Sequence, residues 1–530
     1  MKKRIFCALM AAGMMALSFT ACSSDGGSSS STDSSSSGSS SESTASGSSE
    51  TASTGDTAPG VDMEGDPYHV TFMYLNISEG EGYDEVSAAV NELSLSEINM
   101  ETELLPVSYG TWASTLQTML ASNEQLDLFM DTINNAPTSI VSGYIADWNE
   151  YMDYIPDVSS YYGDEMQAGM VGDFMATIGT VKERPNNSGI ICRTDIMEEV
   201  GYSLEDFADV DPDNPASYDV FDEMFAAVKA AYPDMTAIAG QQALPSLCTF
   251  DSLSDSFGVL ENRGQTTTVT NYYESQQFKD LVTISKRWYD AGYYSADAVT
   301  NQDTGETLLK AGNLFSFFVG IKPNTAQEKL AQTGYEVTVI PVAGQTVYSS
   351  YGYNAFGFYL ANASEDKAKA AAYYNWAFQS GDFHDLINWG IEGVDWVEDE
   401  NGQAAFPEGM DGQNYRYHND LGWIYPNQTA GHTWAGNPEN IWEMYEEDTA
   451  SAVKSLAFGF TYDPSNVTDQ VIACTAVNSQ YQKTLWFGAV DDVDAAIATY
   501  NEALYGAGLQ TIIDEKQAQL DAWLQENGNA

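Results

Sequence analysis

Apolar positions along residues 68–131 keep changing their period. In "HVTFMYL" Val70, Phe72 and Tyr74 alternate with neighbours on the other face and predict a strand. Val86, Ala89, Val90 and Leu93 then recur at helical spacing. "NMETELLPV" alternates again through Met100, Thr102 and Leu104, and Trp112, Leu116, Met119 and Leu120 form a second helical stripe. "LDLFMD" reads as a short buried strand. The order strand, helix, strand, helix, strand implies parallel strands joined by right-handed crossovers. Ligands on such sheets bind outside the carboxyl ends of the strands. Tyr74 and Asn76 after the first strand, and Asp131 after the third, are therefore candidate ligand contacts; the alternative role for Asp131 is a helix N-cap.

The middle of the chain repeats this alternation. Phe221, Met224, Phe225 and Val228 share a helical face that ends at Pro233. "NLFSFFVG", "YEVTVIPV" and "YNAFGFYLAN" read as strands. "SEDKAKAAAYYNWAFQS" reads as a helix that Ser364 can cap, with Ala371, Tyr374 and Phe378 on one face. Leu509, Ile512, Ile513, Leu520 and Leu524 mark a last helix. No internal repeat is evident.

The first 65 residues are of another kind. Lys2, Lys3 and Arg4 precede an apolar run from Ile5 to Phe19, and small residues precede Cys22. That is the layout of a signal peptide over residues 1–21, and the run is short of the ~20 apolar residues a bilayer span needs. "FTAC" resembles the bacterial lipoprotein signal, with Phe19 in place of the usual aliphatic residue. The resemblance implies lipidation of Cys22, which would anchor the protein in a membrane through its N-terminus; ordinary secretion is the alternative. Residues 22–65 are rich in Ser, Gly, Thr, Asp and Glu and bury too little apolar surface to offset ordering. They read as a disordered tether reaching roughly 35 Å. The chain beyond, about 460 residues, fits two lobes better than one small core.

Charge and motifs then narrow the function. Lys and Arg total 20 against 77 Asp and Glu, a formal charge of −57. That argues against nucleic acid as a partner, because phosphate contacts need clustered cations. Cys192, Cys248 and Cys474 allow at most one disulfide, and no C-x-x-C, H-E-x-x-H, P-loop or G-x-S-x-G motif occurs. Asp209, Asp211 and Asp213 alternate like the start of a calcium loop. Asn214 and Val220 stand where Gly and Glu are required, so a solvated turn is expected and no metal. No cofactor and no catalytic residue is indicated.

Several segments, taken in order, resemble the extracellular solute-binding proteins of bacterial ABC importers, in the family that captures carbohydrates. They are "ELLPVSYGTWASTLQTMLASNEQLDLFMD", "SGYIADWNEYM", "GIICRTDIMEEVGY" and "NPASYDVFDEMFAAVKAAYPD". "INWGIEGVDW" and "FGFTYDPSNV…AGLQTIIDEKQAQLDAW" resemble a subgroup with a C-terminal extension of unknown function. The match spans nearly all of residues 68–526. Trp148 and the pair Ser217-Tyr218 depart from the family's pattern.

The resemblance implies an α/β, two-lobed periplasmic-binding-protein-like fold of type II, with central sheets flanked by helices and hinges between the lobes. Crossings are expected near 180–182, 340 and 396. Lobe one would be 68–180 plus 341–395, and lobe two 181–340 plus 396–526, including a C-terminal helical extension. The implied function is capture of a carbohydrate, an oligosaccharide, for delivery to ABC permease subunits, by a monomer on the outer face of the cell membrane.

A sugar offers C–H faces and hydroxyls, so its binder needs aromatic platforms and planar polar groups. The 11 Trp and 32 Tyr suit that. Candidates beyond Tyr74, Asn76 and Asp131 are Glu183 and Arg184 at the hinge exit, with a structural ion pair as their other role. Phe317 or Phe318 stands where relatives carry a stacking aromatic. Tyr353 and Asn354 follow the return to lobe one, Trp389 and Trp396 flank two glycines, and Trp434 sits in a Gly-rich loop. The rival readings are a peptide or cationic ligand on the same fold, a surface glycosidase with two carboxylates across the cleft, and an adhesin without a cleft.

Overall fold

The computed structural model describes residues 59–527 except 79–80, 183, 185–186 and 413. The expected signal peptide, Cys22, most of the tether and Glu183 lie outside the described residues.

The strand Tyr68–Leu75 is buried on both faces from Val70 onward, as a parallel strand covered on two sides must be. It lies between Met100–Val107 and Leu128–Asp131, parallel to both. Gly357–Leu360 runs antiparallel beside Leu128–Asp131, with Gly357 opposite Asp131, and Ile178–Gly179 closes the sheet. Asn76, Asp131 and Phe356 therefore share one edge. Gly179 has to be glycine: a Cβ there would stand 2.7 Å from the Tyr353 ring.

A second sheet has the order Val337–Pro341, Asn187–Arg193, Leu314–Ile321, Thr236–Ala239. Phe221, Phe225, Trp288 and Phe315 pack its core. A third cluster joins residues 250–282 to the C-terminal helices Thr468–Trp486, Val493–Gly506 and Leu509–Glu526. Cys192, Cys248 and Cys474 are free thiols. Among the described residues no helix is long and apolar enough to cross a membrane.

Two expectations need correction. Ser364 does not cap the helix Lys367–Gln379; Asp366 does, accepting from the Lys369 amide at 3.2 Å. Ser364 is instead drawn to the buried Asp127 carboxylate at 2.5 Å, which also takes the Tyr68 hydroxyl and the Thr71 amide. A buried carboxylate needs several donors, and that demand outweighs a local cap.

The chain also does not leave the first lobe near Trp396. Leu421, Ile424 and Tyr425 pack in the first core, and the Tyr425 hydroxyl donates to the Leu75 carbonyl. Further on, Val453–Lys454 pairs in parallel with Val347–Tyr348. Residues 417–428 thus belong with the first sheet, not with the second lobe.

Candidate functional site

The carboxyl edge of the first sheet is built by loops that brace one another. Asn76 accepts from the Ser78 amide at 3.0 Å, turning the chain after the opening strand. Asn419 accepts from the Ile77 amide at 2.7 Å, and the His418 amide donates to the Ser78 hydroxyl at 3.2 Å. Residues 418–423 are thereby fixed beside Asn76. Asp131 accepts from the Thr132 amide at 2.8 Å and from the Asn135 amide side chain at 2.9 Å. It braces the turn but is no helix N-cap, since Thr132 and Asn135 hold the cap positions of the two helices that follow, and it stays partly open to solvent. Burial pushes its carboxyl up to about 6, against those two hydrogen bonds.

Asp420 was not legible in the sequence. Its φ is +49°, a conformation Asp tolerates better than most residues. Its surface is exposed, yet surrounding protein desolvates the carboxyl and pushes it up to about 7; Lys322 of the second lobe pulls the other way. Glu328 adds to the upward shift, so charges just beyond the strand Leu314–Ile321 act on this carboxyl from across the molecule. Tyr109, 57% exposed after the second strand, and the partly exposed Phe356 and Trp423, packed edge to face at 5.2 Å, stand at the same edge. No periodic signal distinguishes these aromatics from core residues.

The three tryptophans come together, in different roles. Trp434 is partly exposed and packs on Trp389 at 4.9 Å, on Phe406 at 4.7 Å and on His418 at 4.5 Å. Its loop reaches the second lobe, where Asn324 donates to Asn437 at 2.8 Å. Burial pulls His418 down to about 4, so the ring stays neutral. Trp389 and Trp396 are 6% and 3% exposed, and their indole N–H groups donate to the carbonyls of His432 and Gly390. They back Trp434 and cannot themselves be platforms.

Four further candidates are core residues. Tyr74 is 1% exposed under Tyr425. Phe317 lies in the middle of a central strand, with Gly305 directly beneath its ring. Tyr353 is buried against Tyr162, and Asn354 donates to the Ala168 carbonyl. Tyr353 ends the short helix Ser350–Tyr353 where a strand was expected, and both it and Asn354 turn into the core.

Arg184 takes its structural role. It pairs with Glu165, donates to the Tyr348 hydroxyl at 2.8 Å, and lies 5.1 Å from the Tyr353 ring centre and 5.3 Å from that of Tyr162. Of the named candidates, Asn76, Asp131 and Trp434 remain at the open edge.

The comparisons agree with this architecture. Residues 456–525 match a domain of unknown function, DUF3502. A carbohydrate ABC transporter substrate-binding protein of Streptococcus pneumoniae serotype 4 (strain ATCC BAA-334 / TIGR4) is 22% identical over 483 residues, 89% of this chain and 94% of that protein. The crystal structure of the N-glycan transport solute binding protein NgtS from Streptococcus pneumoniae superposes with a TM-score of 0.75 at 19% identity, covering 87% of this chain and 100% of that one. NgtS in complex with Man5GlcNAc gives 0.64 at 19% identity, over 87% and 99% of the two chains. The chain thus has the two-lobed fold of the extracellular solute-binding proteins, with a DUF3502 segment at its C-terminal end.

Proposed function

We propose that the protein captures a carbohydrate, an oligosaccharide, between its lobes and presents it to an ABC importer without chemical change. The observation that carries this reading is the carboxyl edge of the first sheet. Partly exposed Trp434, Trp423, Phe356 and Tyr109 stand near Asn76, Asp131 and Asp420, joining flat apolar surface to groups that pair with hydroxyls. The resemblance to sugar-binding relatives supports it. Closure is a shift of population toward a lobe arrangement that touches the ligand on both sides.

Calorimetry against a panel of oligosaccharides, including Man5GlcNAc, tests this reading. Binding to a sugar supports it. Tight binding to a peptide or polyamine and to no sugar would replace it with the cationic-ligand reading, which Asp131 and Asp420 would serve. Hydrolysis of a bound sugar would make the protein a glycosidase.

The N-terminal sequence supports a lipid anchor at Cys22 and a position on the outer face of the cell membrane. Cys22→Ala should release the protein from the membrane fraction; retention would exclude lipid anchoring at that residue. Deleting residues 30–60 should spare affinity and impair uptake.

A further inference from the structure

The C-terminal segment that matches DUF3502 touches both lobes. Near its start, Phe458 packs in the first core, and the Gly459 amide donates to the Ser350 hydroxyl at 2.7 Å. Its helices then pack in the third cluster against residues 250–282 of the second lobe. The docking is close: a Cβ at Gly488 would lie 2.1 Å from the Lys286 amide nitrogen.

Two lysines of this segment are spent on backbone carbonyls of the second lobe. Lys483 donates to the Gln241 carbonyl at 2.6 Å, in the loop that follows the strand Thr236–Ala239. Lys516 is fully buried on the helix Leu509–Glu526. Its ammonium lies 2.7 Å from the Asp255 carboxylate, 2.9 Å from the Gly258 carbonyl and 3.3 Å from the carbonyls of Ser252 and Asp255. A compact charge with three donors suits a turn whose carbonyls converge inward. Burying it is costly unless those acceptors are held in place, so lysine and turn fix each other.

The turn so held is strained. Leu253 and Ser254, consecutive and neither of them glycine, have φ of +49° and +89°. Such conformations persist only where surrounding structure over-determines them. Ser254 also meets the first lobe, its carbonyl accepting from the Asn134 side chain at 3.3 Å. Asn134 follows Asp131 at the carboxyl edge, so this contact joins the candidate site to the turn. Beside it, Ile133, Asn134 and Tyr351 of the first lobe face Ser254, Phe460 and Thr461 around a cavity of about 10 Å³. Asn134 Oδ1 and Thr461 Oγ1 are buried there without a protein partner. Apolar groups of Ile133, Leu253, Tyr351 and Phe460 make up most of the seam, and these two unpaired oxygens are polar points within it.

We propose that residues 456–525 brace the two lobes against each other, and that Lys516 is the positioning residue that holds the Leu253–Ser254 turn against Asn134. The proposal rests on the reading of lobe closure given above and assigns the segment a role within it. Lys516 touches no ligand; it acts through the turn.

The test uses the full mature chain, first without ligand. In Lys516→Met, hydrogen exchange should accelerate at residues 251–258 and, across the seam, at residues 131–136, each by ~5-fold or more, while the strand Leu314–Ile321 keeps its protection. Ser254→Gly in that background should restore protection at 131–136, because glycine adopts the turn without the lysine's help. Acceleration confined to 251–258, or no rescue by glycine, would reduce Lys516 to a packing role and overturn the proposal. Asp255→Asn keeps the lysine and should produce the same two-sided effect at smaller size. If Lys516→Met does not fold, this variant decides, and a one-sided effect overturns the proposal. With Man5GlcNAc as probe, Lys516→Met should weaken affinity by ~10-fold. Unchanged affinity beside two-sided exchange would overturn the positioning role. Absence of binding in the unsubstituted protein would count against this sugar as ligand and leave the exchange result to decide the brace.

Discussion

Glu165 pairs with Arg184 where the chain leaves the first lobe. The same carboxylate accepts from the Tyr348 hydroxyl at 2.9 Å and lies 3.4 Å from the Lys454 ammonium. One carboxylate thus joins Arg184, Tyr348 and Lys454, and the last two lie on the paired strands Val347–Tyr348 and Val453–Lys454. The rings of Tyr161, Tyr162, Tyr348 and Tyr353 surround the guanidinium at 5.1–6.0 Å. Such contacts suit Arg better than Lys, because the planar cation stacks.

Glu165→Ala should therefore destabilise the protein by about 2–3 kcal/mol, since it leaves the Arg184 charge without its partner, while partial exposure of Glu165 softens the loss. Urea unfolding measures it. Arg184→Lys should also destabilise, through loss of stacking. A Glu165→Ala variant with unchanged stability would show that the tyrosine rings alone hold the arginine.

His384 sets part of the acid response. It is 1% exposed, its Nε2 lies 3.0 Å from the Ala377 carbonyl, and burial pulls it down to about 3. The unfolded chain protonates near 6.5 and therefore binds more protons between pH 6.5 and 3. His384 thus favours the folded state fully above pH 6.5, and that contribution is lost as pH falls toward 3. It amounts to about 5 kcal/mol at most. His384→Gln should flatten the fall of the urea midpoint between pH 6.5 and 4. An unchanged slope would assign the acid response to other groups.

Asp420 and Asp131 act in the opposite sense. Their carboxyls are raised to about 7 and about 6 in the folded protein. The folded state therefore holds protons that the unfolded chain has released above its carboxylate range, and stability declines as pH climbs from about 4 to about 7. Asp420→Asn should make the ligand-free protein more stable at pH 8 than the unsubstituted one, with little difference at pH 4. Denaturation at the two pH values checks it, and an equal change at both would show that charge is not the cause. Under the sugar reading, the ionised carboxylate accepts hydroxyls better than the neutral acid. Affinity should then rise from pH 6 to 8 and lose that dependence in Asp420→Asn.

Trp434 and Trp396 should separate cleanly. Trp434→Ala is expected to weaken sugar binding by ~10–100-fold with a small change in stability, because a partly exposed platform contributes more to the ligand than to the core. Trp396→Ala should cost about 3–5 kcal/mol of stability, in the range for truncating a buried aromatic. Calorimetry and thermal unfolding on both variants decide. If Trp434→Ala unfolds the protein while Trp396→Ala weakens binding alone, the two roles are reversed.

The helical stripe of Phe221, Phe225 and Val228 and the alternation of Val70 and Phe72 each mark a buried face in the structure. Ser364 shows where such local reading stops. Its position suited a cap, yet Asp127, far away in sequence, claims its hydroxyl. Tyr353 and Asn354 fail for a related reason: a short helix breaks the expected strand and turns both inward. Trp434 was legible because a large aromatic in a Gly-rich loop has no periodic core role. Asp420 carried no comparable signal.

By itself, the amino-acid sequence marked the strands and helices whose apolar residues recur at a period of 2 or 3.6, because burial imposes that period on neighbouring residues, but it did not mark the short helix Ser350–Tyr353. Its ordered segments also pointed to a two-lobed fold. The tertiary structure alone decided that Glu165 joins Arg184, Tyr348 and Lys454, that Lys516 grips the Leu253–Ser254 turn, and that Asn134 meets Ser254. These groups are polar residues with no period of their own. Hundreds of positions separate some of them, and only the closed path of the chain brings their charges and carbonyls together.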